Sequence, residues 1–560
     1  MQASRRRLMW PVLAAIVALA SLPAFALGKG SATHKTEVPA TRIDQVARAL
    51  QIGHVAANTS LDIIVALNFS HPEAIEAYNA ELNDPASPNF RQFLTPKEIG
   101  ERFGPAQADY DAVVAHLQAN GLTITKTPEN RMTVHATGTA AQMESAFGVK
   151  INTYRESHQD RVARGGPDGE RAFFSIDRNV QLPDAIAPMV TSVEGLQNYT
   201  HPILLLHHLK KASSPFAPAD VRTAYNNAPL FSGGDTGSGR TVAISNWDGL
   251  NLTNAGDFVT KFGLPTPLSG GQPTNVTIEN VAGDTTSTSG EGEGDLDPQM
   301  VLGQAPLATI IIYSNPSGSS PLAVLEQEVS DNKADIISES YGWSLSSSAI
   351  SSCHTQHTMM TTQGITYLCA SGDSGSKVSP YWYPDVDPNI TVVGGTDLTV
   401  SSTGARSTET GWSDSGGGTS STGGFTKPSW QTGTGVPSTT YRVFPDVSSN
   451  ATGSKGAYQF YYEGKDQTGY VGTSFASPVT AAMLAEVEQY MIAKGKITAN
   501  SAGKYRLGNI NSYLYSYIGN TSILYDVTSG KNGSYSCTKG WDYVTGVGTL
   551  NFDNLATTLP

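Results

Sequence analysis

The chain has 560 residues, a net charge of −13 and only 15% charged residues. That length is ample for a large core and points to several domains, or to one large domain with appendages. The acidic balance argues against nucleic acid as a partner, because nucleic-acid binders carry a basic patch. Three cysteines are too few for a disulfide framework, and the abundance of Gly, Ser and Thr fits a secreted protein that meets acid.

Residues 1–26 read as a secretory signal: Arg5-Arg6-Arg7 form the charged start, an apolar run spans Leu8 to Leu22, and Ala24-Phe25-Ala26 is a small-x-small cleavage site. The run is short for a bilayer span, and no later segment is apolar enough to cross one. Residues 27–195 read as a separate unit. A strand is expected over 61–69 and a helix from Pro72 to Leu82 with Ser70 as its cap. An amphipathic helix from Ala106 to Asn120 stops at Gly121, strands follow over 122–125 and 131–136, and a short helix runs from Thr139 to Phe147. This alternation predicts an α+β sandwich. Residues 196–215 read as a connector without a clear period. His207 and His208 within it are either metal ligands or part of an exposed processing segment.

From residue 216 onward, apolar strands are expected over 241–245, 308–313, 334–338, 365–370, 390–393 and 441–447. Helices fit from Pro321 to Asn332 and from Ser348 to Gln363. This alternation implies an α/β fold with a parallel sheet covered by helices on both faces, and active sites in such sheets lie at the carboxyl ends of strands. Ser413 to Gly424 reads as a surface loop. Cys353 and Cys369 either pair, leaving Cys537 free, or all three cysteines are buried thiols.

The chain is organised around Val471-Gly472-Thr473-Ser474-Phe475-Ala476-Ser477-Pro478, which leads into an apolar helix. Pro478 is tolerated only near a helix start, which places Ser474 in the first turn. There its hydroxyl lies beside free backbone N–H groups and the positive end of the helix dipole, a setting that suits a nucleophile and also a simple N-cap. The longer pattern Gly-Thr-Ser-x-Ala-x-Pro resembles the nucleophile motif of subtilisin-like serine peptidases. A subtilisin-type triad needs a histidine base. Downstream of residue 216 only His354 and His357 are present, and neither has the small-residue surroundings of such a base.

An acidic stretch supplies another candidate. Glu293 and Asp297 are four apart, so on a helix both carboxyls share one face. Two carboxyls within hydrogen-bond reach share a proton, and one pKa rises; such a pair can take a serine proton and return it to a leaving amine. Glu291 and Asp295 have the same spacing. By itself the stretch could equally be a solvated acidic loop or a cation site. Asp373, in Ser371-Gly372-Asp373-Ser374-Gly375, follows the strand ending at Ala370; if protonated it can donate to an oxyanion, and otherwise it leads a turn.

Taken together, these motifs, in this order, resemble the sedolisins, the serine-carboxyl peptidases. Ser87-Pro88-Asn89-Phe90-Arg91-Gln92-Phe93-Leu94-Thr95-Pro96 and Arg102-Phe103-Gly104-Pro105 resemble the family's activation domain. The resemblance implies a subtilisin-like peptidase domain over 216–560, preceded by a propeptide over 27–195 and a linker over 196–215 that holds the maturation site, before Phe216. It implies Ser474 as nucleophile, Glu293 as general base and acid, and Asp297 as the residue that orients Glu293 and shares its proton. Asp373 would stabilise the oxyanion with the Ser474 N–H, and Glu293/Asp297 is selected over Glu291/Asp295. Residues 525–530 and 540–548 look like the family's calcium loop. One Ca2+ would take carboxylates from Asp526 and Asp542 and backbone carbonyls from Val527, Thr538 and Gly540. Three positions depart from the family pattern: Val471 where Ser is usual, Thr538 where many members have Gly, and Glu339 in the segment Ser338–Gly342 that pairs with substrate backbone.

The expectation is a secreted, acid-active endopeptidase made as a self-activating zymogen. Its partners would be protein or peptide substrates and its own propeptide as intramolecular inhibitor, with no membrane in the mature form and a monomeric state. The alternatives are a tripeptidyl exopeptidase of the same family, a hydrolase dependent on His354 or His357, and an inactive secreted calcium-binding homologue.

Overall fold

A computed structural model describes residues 34–163, 171–208, 215–281, 292–316, 318, 320–377, 383–419, 424–452 and 458–560. The expected signal over 1–26 and Glu291 lie outside the described residues.

The apolar strands assemble into one sheet because their residues are buried on both faces. Val242, Ile244, Ile310 and Ile312 pack into one core, while Ala243, Ile311 and Tyr313 pack into the other, the period-two alternation of a strand sandwiched between layers. The strand order is Val276–Asn280, Thr309–Ser314, Thr241–Asn246, Ile336–Glu339, Thr366–Ala370, Thr391–Val400, Val447–Thr452, Thr549–Leu550 and Leu524–Tyr525. Pairing is parallel from Val276–Asn280 through Thr549–Leu550. Leu524–Tyr525 joins antiparallel, and Arg406–Gly411 adds an antiparallel arm to Thr391–Val400. The helices Glu293–Gln304 and Thr473–Ala493 supply the first core, and Leu322–Asp331 and Ser347–Gln363 supply the second.

The N-terminal unit is an antiparallel sheet in the order Thr123–Lys126, Thr133–Thr139, Ser60–Leu67 and Val190–Glu194, with its own core against the helices Gln107–Ala119 and Ala140–Phe147. It docks on the Ser347–Gln363 helix. Asn79 donates to Thr358 O at 3.1 Å and accepts from Thr362 Oγ1 at 2.8 Å, and Ser352 Oγ meets Ser192 Oγ at 2.8 Å. Gly364 ends this helix in the left-handed conformation at φ +82°, and the Phe93 ring leaves no room there for a side chain.

Several expectations needed correction. The Pro72–Leu82 helix has His71, without a side-chain bond, at its N-cap; Ser70 Oγ instead donates to Gly104 O at 2.9 Å. The strand expected over 441–447 is interrupted at Pro445, which has no N–H for a ladder, and the long strand begins at Val447. The helix Leu252–Phe262, capped by Asn251 and closed by Gly263 at φ +59°, was not anticipated. The supposed surface loop is buried at 415–418, because Gly416 and Gly417 bring the backbone against the Ser371 and Tyr543 carbonyls, too close for any Cβ. Cys353, Cys369 and Cys537 are all free and buried, so the first two do not pair.

Candidate active site

The strands ending at Asn246, Glu339 and Ala370 hand over to Asp248, Ser340 and Asp373 at the carboxyl end of the sheet, where a parallel sheet places its chemistry. The helix Glu293–Gln304 enters the same region. Its first turn is anchored by Asp248 Oδ2, which accepts the N–H groups of Gly292 and Glu293 at 3.0 Å and of Gly294 at 3.4 Å. Gly294 is required because a side chain there would overlap Gly249 O.

Glu293 and Asp297 are completely buried. Asp297 Oδ1 accepts from Ser340 Oγ at 2.9 Å, while Asp297 Oδ2 and both Glu293 oxygens lack a full hydrogen bond. Burial pushes Glu293 well above the usual carboxylate range, and the adjacent Asp297 charge pushes further; the Ser474 hydroxyl pulls the other way. Burial raises Asp297 as well. Asp295 lies apart from this pair: it accepts from Asn251 N at 2.8 Å and Asn254 Nδ2 at 3.0 Å and so ties down the neighbouring Leu252–Phe262 helix.

Ser474 is the second residue of the Thr473–Ala493 helix, behind Gly472, and is buried. Asp373 Oδ1 accepts both the backbone N–H of Thr473 at 2.8 Å and its hydroxyl at 2.7 Å. Burial lifts its carboxyl to about 8, so at acid pH it is a neutral acid able to donate.

Something already sits on this group. The linker runs through the cleft: Ile203–Leu204 pairs antiparallel with Tyr341–Gly342, and His207–His208 pairs antiparallel with Tyr470–Val471. Between the two pairs, Ser474 Oγ donates to the Leu205 carbonyl oxygen at 2.5 Å. A Cβ on Gly472 would overlap both Leu205 O and Asp373 Oδ2, so glycine is what allows peptide and carboxyl to converge here. Val471 packs between Trp412 and Ala451, away from Ser474. Glu339 points to the opposite face from Ser338 and Ser340, as strand alternation demands, and accepts from Trp343 Nε1 at 3.0 Å and Tyr367 OH at 2.5 Å. His354 and His357 are engaged with Asp387, at 2.9 and 3.2 Å, and His357 with Tyr383 OH at 2.7 Å.

Asp248, Ser340, Thr473 and Leu205 are absent from the sequence-based set. An Asp-Gly turn directly after a strand was a usable signal for Asp248, and period-two alternation around Glu339 was one for Ser340. Nothing local marks Leu205.

In the C-terminal loop, Asp526 Oδ2 accepts Gly540 N at 3.0 Å, and Asp526 Oδ1 is buried with no hydrogen-bond partner. Asp542 accepts Thr538 N at 3.0 Å and both Val544 N and Thr545 N at 2.9 Å; burial still raises it to about 6. Among the described residues neither carboxylate has an ion-pair partner, and the carbonyl oxygens of Val527, Thr538 and Gly540 accept no hydrogen bond. An all-oxygen set with an orphaned buried carboxylate oxygen fits a hard cation.

Residues 47–199 match the family model described as the pro-kumamolisin activation domain, and residues 278–503 match the subtilase family. The two matches lie in the order of an activation domain followed by a subtilase-type domain. It is 30% identical to sedolisin from Pseudomonas sp. (strain 101) over 98% of this chain and 96% of that one. It is 27% identical to kumamolisin from Bacillus sp. (strain MN-32) over 90% and 92%, and 25% identical to tripeptidyl-peptidase 1 of Canis lupus familiaris over 90% and 92%. Among solved structures, Pseudomonas sedolisin, a serine-carboxyl proteinase complexed with pseudo-iodotyrostatin, matches with a TM-score of 0.52 and 29% identity, over 61% of this chain and 97% of that one. The chain belongs to the sedolisin family: it is a serine-type peptidase, a hydrolase, carrying a propeptide that acts as its intramolecular inhibitor. No helix among the described residues is long and apolar enough to cross a membrane.

Proposed function

We propose that this protein is a secreted, acid-active endopeptidase in which Ser474 is the nucleophile. The observation that carries the reading is the Leu205 carbonyl held on Ser474 Oγ, with the buried carboxyls of Glu293 and Asp297, both raised by burial, on the neighbouring helix. Glu293 takes the Ser474 proton as Oγ attacks the peptide carbonyl and returns it to the departing amine; water then hydrolyses the acyl-enzyme by the same route. Asp297, held by Ser340, keeps the pair at one proton and one charge. Protonated Asp373 and the Ser474 N–H donate to the oxyanion. Because the pair must hold a proton, activity belongs at acid pH.

Endopeptidase action is supported by the linker's path. The chain continues upstream of Ile203 through Pro202 to an exposed His201, whereas a tripeptidyl enzyme needs a wall at that point. Asp526 and Asp542, with the carbonyls of Val527, Thr538 and Gly540, would hold one calcium ion, which neutralises the buried carboxylates and stiffens the loop.

The test is hydrolysis of an unfolded protein and of N-terminally blocked peptides across pH 3 to 8. Cleavage of the blocked peptides, maximal in acid and lost in Glu293→Gln, is the expected result. Release of tripeptides only, from free N-termini, would replace this reading by the exopeptidase one.

A further inference from the structure

We propose that Leu205–Leu206 is the first bond this protein hydrolyses, in its own chain, and that Ile203-Leu204-Leu205-Leu206 is a template of its substrate preference; this rests on the peptidase reading above. The linker crosses the cleft as an extended strand, bonded on both sides of Ser474. Only Leu205 presents its carbonyl to the Ser474 hydroxyl, at 2.5 Å. The alternative, a first cut just before Phe216, does not suit the geometry. Phe216 is buried, its backbone bridges to Tyr458, and its ring lies 6.1 Å from that of Tyr458. Cleavage at Leu205–Leu206 therefore leaves residues 206–215 as an N-terminal extension, to be trimmed afterwards.

The step is an ordinary hydrolysis. Ser474 Oγ bonds to the Leu205 carbonyl carbon as its proton moves to Glu293. The Leu205–Leu206 C–N bond breaks, and Glu293 passes that proton to the Leu206 nitrogen. Water then adds to the Leu205–Ser474 ester, giving one proton to Glu293, which restores the Ser474 hydroxyl as the Leu205 carboxylic acid leaves. One water is consumed and no co-reactant is needed.

The subsites are apolar. Leu205 is only 2% exposed. Leu204 packs on the core that contains Tyr341 and Trp343, and Leu206 on the core that contains Phe475. A charged side chain at Leu205 would be desolvated, and one at the half-buried Leu204 or Leu206 would give up these apolar contacts. The class of substrate is therefore a peptide with leucine-sized apolar residues at the two positions before the cut and the one after it.

The experiment is a quenched time course of the purified full-length precursor at acid pH, read by intact mass. The expected first products end at Leu205 and begin at Leu206, at a rate unchanged by tenfold dilution and absent in Ser474→Ala. Leu205→Asp should slow this cut at least tenfold. Since that variant alters the zymogen, the end-blocked peptide Ile-Leu-Leu-Leu-His-His is also given to the mature enzyme, with cleavage expected after its third residue and at least tenfold loss when that residue is Asp. A first cut elsewhere, by an enzyme that digests unfolded protein in acid, overturns the proposal and leaves the peptidase reading standing. Equal cleavage of the Asp peptide overturns the preference. No cleavage of precursor or protein at any pH overturns both readings.

Discussion

Asp248 closes the N-terminus of the helix that carries Glu293: a single oxygen of Asp248 accepts the N–H groups of Gly292 and Glu293, each at 3.0 Å. An anion there is favoured by the helix dipole, fixes the Glu293 backbone, and adds to the forces raising the Glu293 pKa. Asp248→Asn keeps the shape and removes the charge. It should lower kcat roughly 10-fold and move the pH profile of kcat/KM to lower pH, since a neighbouring negative charge is lost. A fall in Tm with an unmoved profile would mark Asp248 as structural only.

Asp373 accepts two bonds from Thr473 and lies at about 8. Asp373→Ala should cut kcat by about 10²–10³, the usual cost of one oxyanion donor, with little change in KM. Asp373→Asn, which still donates, should recover part of that loss. Steady-state kinetics on a blocked peptide at acid pH separates the two.

The fold itself favours acid. Burial raises Glu339 to about 7 and Asp385 and Glu488 to about 8. Raised carboxyls bind more protons in the folded state than in the unfolded one. Their stabilisation is complete below the unfolded carboxylate range, near 4, and is lost as pH rises through 7 to 8. Asp387, held low against its burial by His354 and His357, acts oppositely and loses its contribution only in strong acid. Tm of Ser474→Ala should therefore be higher at pH 4 than at pH 8, and Glu339→Gln should narrow the gap.

Glu326 of the peptidase domain meets two propeptide side chains, Lys126 at 2.9 Å and His135 at 3.1 Å. Burial works against its charge, but His135 and Lys126 outweigh burial and pull it down. A lowered carboxylate stabilises docking above its unfolded pKa and loses that as pH falls through the folded value. Acid therefore weakens this contact. Glu326→Gln should let the precursor process at a less acidic pH, with a several-fold faster rate near pH 5 in the same mass-based time course.

Calcium should protect the C-terminal loop, because an ion that binds only the folded state raises its stability by mass action. Chelation should lower Tm by several degrees, reversibly on adding Ca2+ in excess of the chelator. Asp526→Ala should lower Tm and abolish that response. An unchanged Tm on chelation in the parent protein would leave the loop without a metal role.

Much of this molecule is written locally. The strands over 241–246, 309–314 and 366–370 are apolar through their centres, and such a run, buried on both faces, belongs inside a parallel sheet. Glu293 and Asp297 share a face because of helical spacing, and the Gly-Thr-Ser tripeptide opens the helix at Thr473, although Pro478 lies inside that helix rather than in its first turn. Such features depend only on neighbours a few residues away, so the linear chain determines them.

What joins distant segments was decided by the tertiary structure. The chain did not reveal that Asp248 would cap the Glu293 helix, that Gly416 and Gly417 would be pressed against carbonyls from elsewhere, or that Glu339 would turn from the cleft. Least legible was Leu205, one leucine in a connector without a period, which becomes the peptide on Ser474 only once strands 341–342 and 470–471 frame the cleft. Its position depends on pairing across more than 130 residues on one side and 260 on the other. No local pattern encodes such a pairing; it exists only when the folded sheet brings the two edges within reach of the linker's backbone.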